Sequence, residues 1–420
     1  MAHETTVSQI EDWLMDAALD DVDITGLFND LCHRLRGMGI PLERAVLNWP
    51  ALHPLFRAEL IEWSAAKGPN LLQFAAGTEN GEAWRQSPFY YAHAKGLSFL
   101  RRRLTGPETL LDFPILPELR DQGCTDYLIT SSSFRIARVD HFEQGRIGIM
   151  GSWSTKRESG FSEADIAALI RIQRAFGVAC RATLQVRVMG NVAEAFLGPT
   201  GAQRVLSGDI RLGDGAEINA VVWYSDLRGS TRMSARMKPD AYLDVLRRFY
   251  GCTARAVIDE GGEVLAFIGD AVLGIFPVRG DIGFPEAARG AIRAMEKALD
   301  LGDAEEAARP PGAPEIRFSV ILASGPVKFG NVGVAERLVF TAIGEVVNAV
   351  TRIDDLTKTL GRSVLVTDEV AAIDPDRFVP LGAQSLPELD RTVRLHARLC
   401  KRDAFDHDLL TANIARSLAG

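Results

Sequence analysis

The chain has 420 residues, a formal net charge of −8, 47% apolar and 24% charged residues, enough length for two or three hydrophobic cores. The mild acidity gives no electrostatic footprint for nucleic acid, and no uninterrupted run of about 18 apolar residues is present to span a bilayer. The polar start, Met1 to Ile10, has no leader pattern, and the five cysteines (Cys32, Cys124, Cys180, Cys252, Cys400) have no CxxC or metal-ligand spacing, so reduced thiols in a cytoplasmic protein are expected.

In chain order, Ile10, Trp13, Leu14, Ala17, Ala18, Leu27, Leu31 and Leu35 recur at helical intervals, and the acidic break Asp20 to Asp23 divides them into two helices. From Arg44 the pattern shortens. RAVLNW, ELIEW, FYYAH, DYLITSSSF and RIGIMGSW read as strands of one mixed sheet, with a loop-rich excursion from Gly77 to Glu118. The aromatic residues Trp84, Phe89, Tyr90, Tyr91 and Phe99, with His93 among them, read either as core or as the lining of a small-molecule pocket. Arg101 to Arg103 read as a solvated face.

Paired helices, strands, the excursion, a hairpin at Tyr127 to Trp153 and a closing helix make an α+β order that resembles GAF domains. The resemblance implies a sensory or regulatory domain over 1–160 that answers to an unidentified small-molecule or protein stimulus.

Ser162 before Glu163 and Asp165 signals a helix start, and Ile166, Leu169, Ile170, Phe176, Ala179, Cys180, Leu184 and Val188 continue one apolar stripe. That helix reads as the last helix of the first domain or as a connector, over 161–215, that also packs on a second copy. It breaks at Gly198-Pro199-Thr200-Gly201, and the polar stretch Gln203 to Gly215 leads to the next strand.

The most informative stretch runs from Ala220 to Pro277. VVWYS reads as a buried strand that ends at Asp226, followed by the turn Leu227, Arg228, Gly229, Ser230, Thr231 and a helix. Gly261-Gly262 then precede two strands, Glu263 to Ile268 and Ala271 to Phe276, with Gly269-Asp270 at the hairpin tip. An Asp at a strand end is commonly a turn or cap residue. Two hard carboxylates at strand ends beside a turn of free N–H groups suit divalent cations that carry phosphate oxygens.

SDLRGST and FIGDAVLGIF resemble the two metal-aspartate motifs of the class III nucleotidyl cyclases, and FGNVG and FTAIGEVVNAVTRID follow in the family's order. The resemblance covers about half the chain. It implies a ferredoxin-like α+β catalytic domain over 216–400, followed by a tail over 401–420. It further implies ATP cyclised to 3′,5′-cyclic AMP and pyrophosphate, two Mg²⁺ or Mn²⁺ ions per site on Asp226 and Asp270, and a homodimer. Asn348 and Arg352, four apart on one helix face, correspond to the residues that orient the ribose and stabilise charge on the transferred phosphoryl group.

Substrate contacts are expected at Leu227, Gly229, Ser230 and Thr231, with base reading at Ala266 and Thr341. Thr341 stands where the family reads adenine and supports ATP. Ala266 departs from the family, which places Lys there in adenylate-forming and Glu in guanylate-forming members. Gln384 to Glu388 also lack the basic residue that holds the polyphosphate; Arg391 and Arg394 are the nearby cations. A weak or non-catalytic nucleotide-binding module and a guanylate cyclase are the alternatives. Between Pro285 and Arg352 a helix to Leu299, a surface loop at Ala304 to Ala313, strands at Ile316 to Ala323, Val327 to Val332 and Leu338 to Thr341, and a helix from Gly344 complete a βααββαββ order with extra strands.

Overall fold

A computed structural model describes residues 2–20, 22–75, 81–134, 147–280 and 282–399. Cys400 and the expected tail lie outside the described residues. The chain divides into two compact units, 1–196 and 197–420.

The first unit opens with α1 (Ala2–Ala17) and α2 (Ile24–Gly37), and Asp23 caps α2 by accepting from the N–H groups of Thr25 and Gly26. There follow β1 (Arg44–Pro50), β2 (Phe56–Ser64), β3 (Gly68–Ala75), α3 (Glu82–Arg85), α4 (Pro88–Ala94), β4 (Phe99–Arg103), α5 (Ile115–Asp121), β5 (Asp126–Phe134) and β6 (Ile147–Thr155). The six strands make one sheet in the order β3-β2-β1-β6-β5-β4. All of its pairs are antiparallel, so it is not the mixed sheet expected.

Two further expectations fail. FYYAH is helical: Ser87 accepts from the Tyr90 N–H at 3.1 Å and Pro88 takes the first helical position, a start signal that outweighs the aromatic strand propensity. Arg101 and Arg103 both reach the fully buried Asp126, at 2.8 and 3.0 Å, and so hold the core together instead of facing solvent.

The long helix α6 (Glu163–Leu206) starts with a reciprocal cap, the Ser162 N–H on Asp165 and the Asp165 N–H on the Ser162 hydroxyl. Its Ile172, Phe176, Ala179, Cys180 and Leu184 join Phe28, Trp63 and Trp153 in the core on one face of the sheet. Each such side chain contributes about 1.5–3 kcal/mol by leaving water. The helix kinks at Gly198, whose φ of 72° is left-handed, and Pro199 begins the new turn. Thr200, Gly201 and residues 203–206 are therefore helical, beyond the expected break.

In the second unit come β7 (Gly215–Leu227), α7 (Ser230–Arg236), α8 (Pro239–Asp259), β8 (Glu263–Ile268), β9 (Ala271–Pro277), α9 (Phe284–Ala307), β10 (Phe318–Val334), β11 (Arg337–Ile343) and α10 (Glu345–Leu360). β12 (Val364–Thr367), α11 (Asp368–Ala371), β13 (Phe378–Leu386) and β14 (Arg391–Arg398) close it. This is the βααββαββ order read from the sequence, with added strands. α9 runs eight residues past Leu299, into the expected loop. β10 passes unbroken through Gly325-Pro326, where two strands were expected, and Pro326 sits opposite Asn219 of β7.

The sheet order β13-β14-β12-β10-β7-β9-β8, with β11 on β10, puts β7 inside the sheet, paired antiparallel with β9 and β10. Val221, Trp223 and Leu227 face α8 and α9, while Ala220, Val222, Tyr224 and Asp226 face α10. That alternation decides what lies beside Asp226.

Candidate active site

Asp226 stands near the end of β7 opposite Ala271, and the Leu227 N–H donates to the Asp270 carbonyl at 3.0 Å. The two aspartates, far apart in sequence, thus sit at neighbouring strand ends. Gly269, at φ 61°, makes the hairpin tip that carries Asp270.

A third acid comes from α10. Asp354 is 5% exposed and accepts from the Ser319 hydroxyl of β10, the residue directly across from Asp226. Burial first, then the carboxylates of Asp354 and Asp270, push the Asp226 carboxyl up to about 6, against the pull of Lys358 and Arg228. Burial, and then the carboxylates of Asp226, Asp354 and Asp270, raise the Tyr224 phenol as well. Asp354 escapes sequence reading because it lies on the apolar stripe of Val346, Val350, Ile353 and Thr357, where periodicity marks core. An acid on such a stripe was the available signal.

The turn after Asp226 is tied to the same helix. Arg228 donates through Nη2 to the Thr357 hydroxyl, which in turn donates to the Asp354 carbonyl, while Nη1 of Arg228 is buried with no hydrogen-bond partner among the described residues. Leu227 is fully buried, Gly229 takes a left-handed φ of 75°, Ser230 is buried and Thr231 exposed.

Asn348 and Arg352 are exposed on α10, and Arg352 lies 3.9 Å from Asp355. Within the chain, the part of α10 that acts on Asp226 is the later turn with Asp354 and Lys358. Ala266 pairs with Leu273, which pairs with Tyr224, so all three share the face of Asp226. A β-bulge between Val264 and Ala266 makes Leu265 the extra residue and puts Glu263 on that face too. Thr341 pairs with Gly330 on the β10–β11 arm. Of the two spare cations, Arg391 pairs with Glu345 at the start of α10, and Arg394 with Asp368 of α11.

Among the described residues no group of three or more His, Cys, Asp or Glu is arranged to hold a metal ion. Asp226 and Asp270 nevertheless have the chemistry for one: hard oxygen donors whose mutual repulsion a divalent cation would relieve.

No family model matches the chain. In sequence, 194 residues (45% of the chain) are 30% identical to an adenylate cyclase of Anabaena cylindrica, covering 37% of that protein. Over 163 residues (38% of the chain) it is 29% identical to adenylate cyclase 1 of Rhizobium meliloti, covering 24%. The chain thus spans well under half the length of either relative. Among solved structures it resembles a bacterial light-regulated adenylyl cyclase, with TM-score 0.46, 16% identity and coverage of 71% and 92% of the two chains. It also resembles the guanylyl cyclase Cya2, with TM-score 0.39, 20% identity and coverage of 44% and 93%.

The ordered motifs and the sequence similarity to adenylate cyclases support a class III nucleotidyl cyclase domain in the chain. Of the two relatives named, both are adenylate cyclases.

Proposed function

We propose that the protein is an adenylate cyclase, active as a homodimer, in which Asp226 and Asp270 hold two Mg²⁺ or Mn²⁺ ions. The observation that carries this is the convergence of Asp226 and Asp270 at neighbouring strand ends, with the Asp226 carboxyl pushed up to about 6. Bound there, the ions would neutralise phosphate oxygens of ATP and lower the cost of placing a nucleophilic oxygen beside them.

The ribose 3′ hydroxyl gives up its proton to solvent, and its oxygen forms a bond to the α-phosphorus as the bond to the leaving pyrophosphate breaks. Asn348 orients the ribose and Arg352 stabilises charge on the phosphoryl group, both from the second protomer; their exposure on α10 suits such a contribution. Gly229, Ser230 and Thr231 line the triphosphate, while Leu227, fully buried, anchors their turn in the core; Thr341 reads the base, and Arg391, on the α10 side of the sheet, is the candidate for the polyphosphate.

The first unit, GAF-like in this reading, regulates turnover through a small molecule. A cavity of about 380 Å³ supports that reading, lined by Arg44, Val46, Leu60, Phe89, Glu118 and Tyr127 among others. Of the aromatic residues singled out in sequence only Phe89 lines it; Tyr90 and Tyr91 are exposed, and Trp84 packs on Tyr90.

Ala266 favours a second reading, a nucleotide-binding module with little turnover, because a methyl group offers the base no hydrogen bond. The decisive experiment supplies ATP with Mg²⁺ or Mn²⁺ to the purified chain and measures cyclic AMP. Product is expected, with at least about a thousandfold loss in Asp270→Ala, the scale of removing a main electrostatic stabiliser. No cyclic AMP with either metal sinks the enzyme.

A further inference from the structure

Ala266 leaves the site without a polar base reader on β8, so discrimination there falls to the shape of the slot, and shape depends on where the strands stand. Two strands carry the expected base contacts: β8 with Ala266 and β11 with Thr341. One short segment touches both.

Residues 199–206 form the helical turns after the kink at Gly198. On one side the Thr200 hydroxyl donates to Glu263 of β8 at 2.7 Å and accepts from Arg279 at 2.8 Å. The Glu263 side chain is 12% exposed, and the bulge at Leu265 sets it on the same face as Ala266. On the other side Gly201 lies against Phe340, the residue before Thr341. A Cβ at position 201 would stand 2.8 Å from Phe340 Cδ1 and 3.0 Å from Leu197 Cβ, so there is no room for one.

Phe340 is itself fixed, edge-on against Phe329 with ring centroids 4.7 Å apart. Its cross-strand partner Asn331, 5% exposed, donates from its side-chain amide to the carbonyls of Asp209 and Arg211, at 2.7 and 3.2 Å. The loop that follows the segment is therefore clamped to the same arm. A polar contact fixes the segment to β8, and a contact with no slack fixes it to β11.

We propose that residues 199–206 are a positioning element that sets the separation of β8 and β11, and with it the base preference of the nucleotide site; Thr200, Gly201, Glu263 and Phe340 are its positioning residues. This rests on the cyclase reading above. The segment is also the covalent continuation of α6.

The test uses the full chain and three variants. Thr200→Val removes the hydroxyl at nearly constant volume, Thr200→Ser keeps it, and Gly201→Ala presses a methyl group on Phe340. With Mn²⁺, kcat and KM are measured for ATP and GTP, and affinities for methylanthraniloyl-ATP and methylanthraniloyl-GTP are measured separately. Thr200→Val and Gly201→Ala are expected to change the ATP:GTP ratio of kcat/KM by about tenfold, mainly through KM, with Thr200→Ser near wild type. The binding ratio should move in parallel.

Lowered melting temperatures with both ratios unchanged would overturn the proposal and leave the segment a packing element only. If the wild-type chain makes no cyclic nucleotide, the proposed function fails while the binding ratio still decides this inference. A wild-type chain that binds neither analogue overturns both.

Discussion

A buried acid of the first unit, Glu59, and a half-buried acid of the second, Asp226, show opposite solutions to the same problem. Glu59 of β2 is 3% exposed and meets the guanidinium of Arg187 at 2.7 and 2.9 Å, the Gln73 amide at 2.8 Å and the Trp49 indole at 3.1 Å. Burial alone would raise its carboxyl, but these donors bring it below the ordinary value. Asp226, partly withdrawn from water and close to Asp354 and Asp270, is pushed up to about 6 despite Lys358 and Arg228. The first acid is answered by the protein itself; the second is not, and in the proposed function a divalent cation would answer it. A carboxylate of the first kind marks architecture, and one of the second kind marks a site.

Removing Glu59 tests the first half of the contrast. Glu59→Ala strands the partly exposed Arg187 and two further donors, and is expected to lower the stability of the first unit by about 2–3 kcal/mol in chemical unfolding. A loss below about 0.5 kcal/mol would put the acid among ordinary surface pairs.

Adding a cation tests the second half. At a hundredfold excess over its dissociation constant, Mg²⁺ or Mn²⁺ should stabilise the second unit by about 2.7 kcal/mol, read as a rise in melting temperature that Asp226→Asn abolishes.

Acid should separate the two regions by sign. Glu59 ionises more readily folded than unfolded, so its contribution is present at neutral pH and is lost as pH falls through its folded value. Asp226 keeps its proton in the folded state to about pH 6 while the unfolded chain loses it near 3.8, so the metal-free unit loses stability as pH rises between those values. Asp226→Asn should flatten that slope; an unchanged slope would refute the assignment to Asp226.

The mildest intervention places a cation on the same sheet face. Ala266→Lys should raise ATP turnover by about tenfold if one base contact is all that is missing. No change would mean that the base is recognised by other means.

The strand-end positions of Asp226 and Asp270 were legible because each ends an apolar strand run, and the β8–β9 hairpin was located almost to the residue. Asn348 and Arg352 came from a motif with its own helical phase. Asp354, Ser319 and the Arg228–Thr357 contact were not legible: each joins residues from different elements, a pairing that local spacing does not encode. In the first unit FYYAH was misread because aromatic propensity was given more weight than the Ser-Pro start before it. β3 and β4 were missed since β3 is an exposed edge strand without alternation and β4 holds the arginine run. The buried thiols behaved as expected, with burial raising Cys32, Cys124 and Cys180 and pushing Cys252 up to about 11.

The bulge in β8 has a consequence for insertions and deletions. In a regular strand the loss of one residue flips everything beyond it to the other face. At Leu265 the opposite holds: deletion would leave Glu263 and Ala266 two residues apart, on one face, with the pairs to Ile275 and Leu273 intact. Losing Phe267 instead would turn Ala266 away from Ile268 and Asp226. Length can thus drift at a single point of β8 without disturbing the alignment of Glu263, Ala266 and Asp226 on one face.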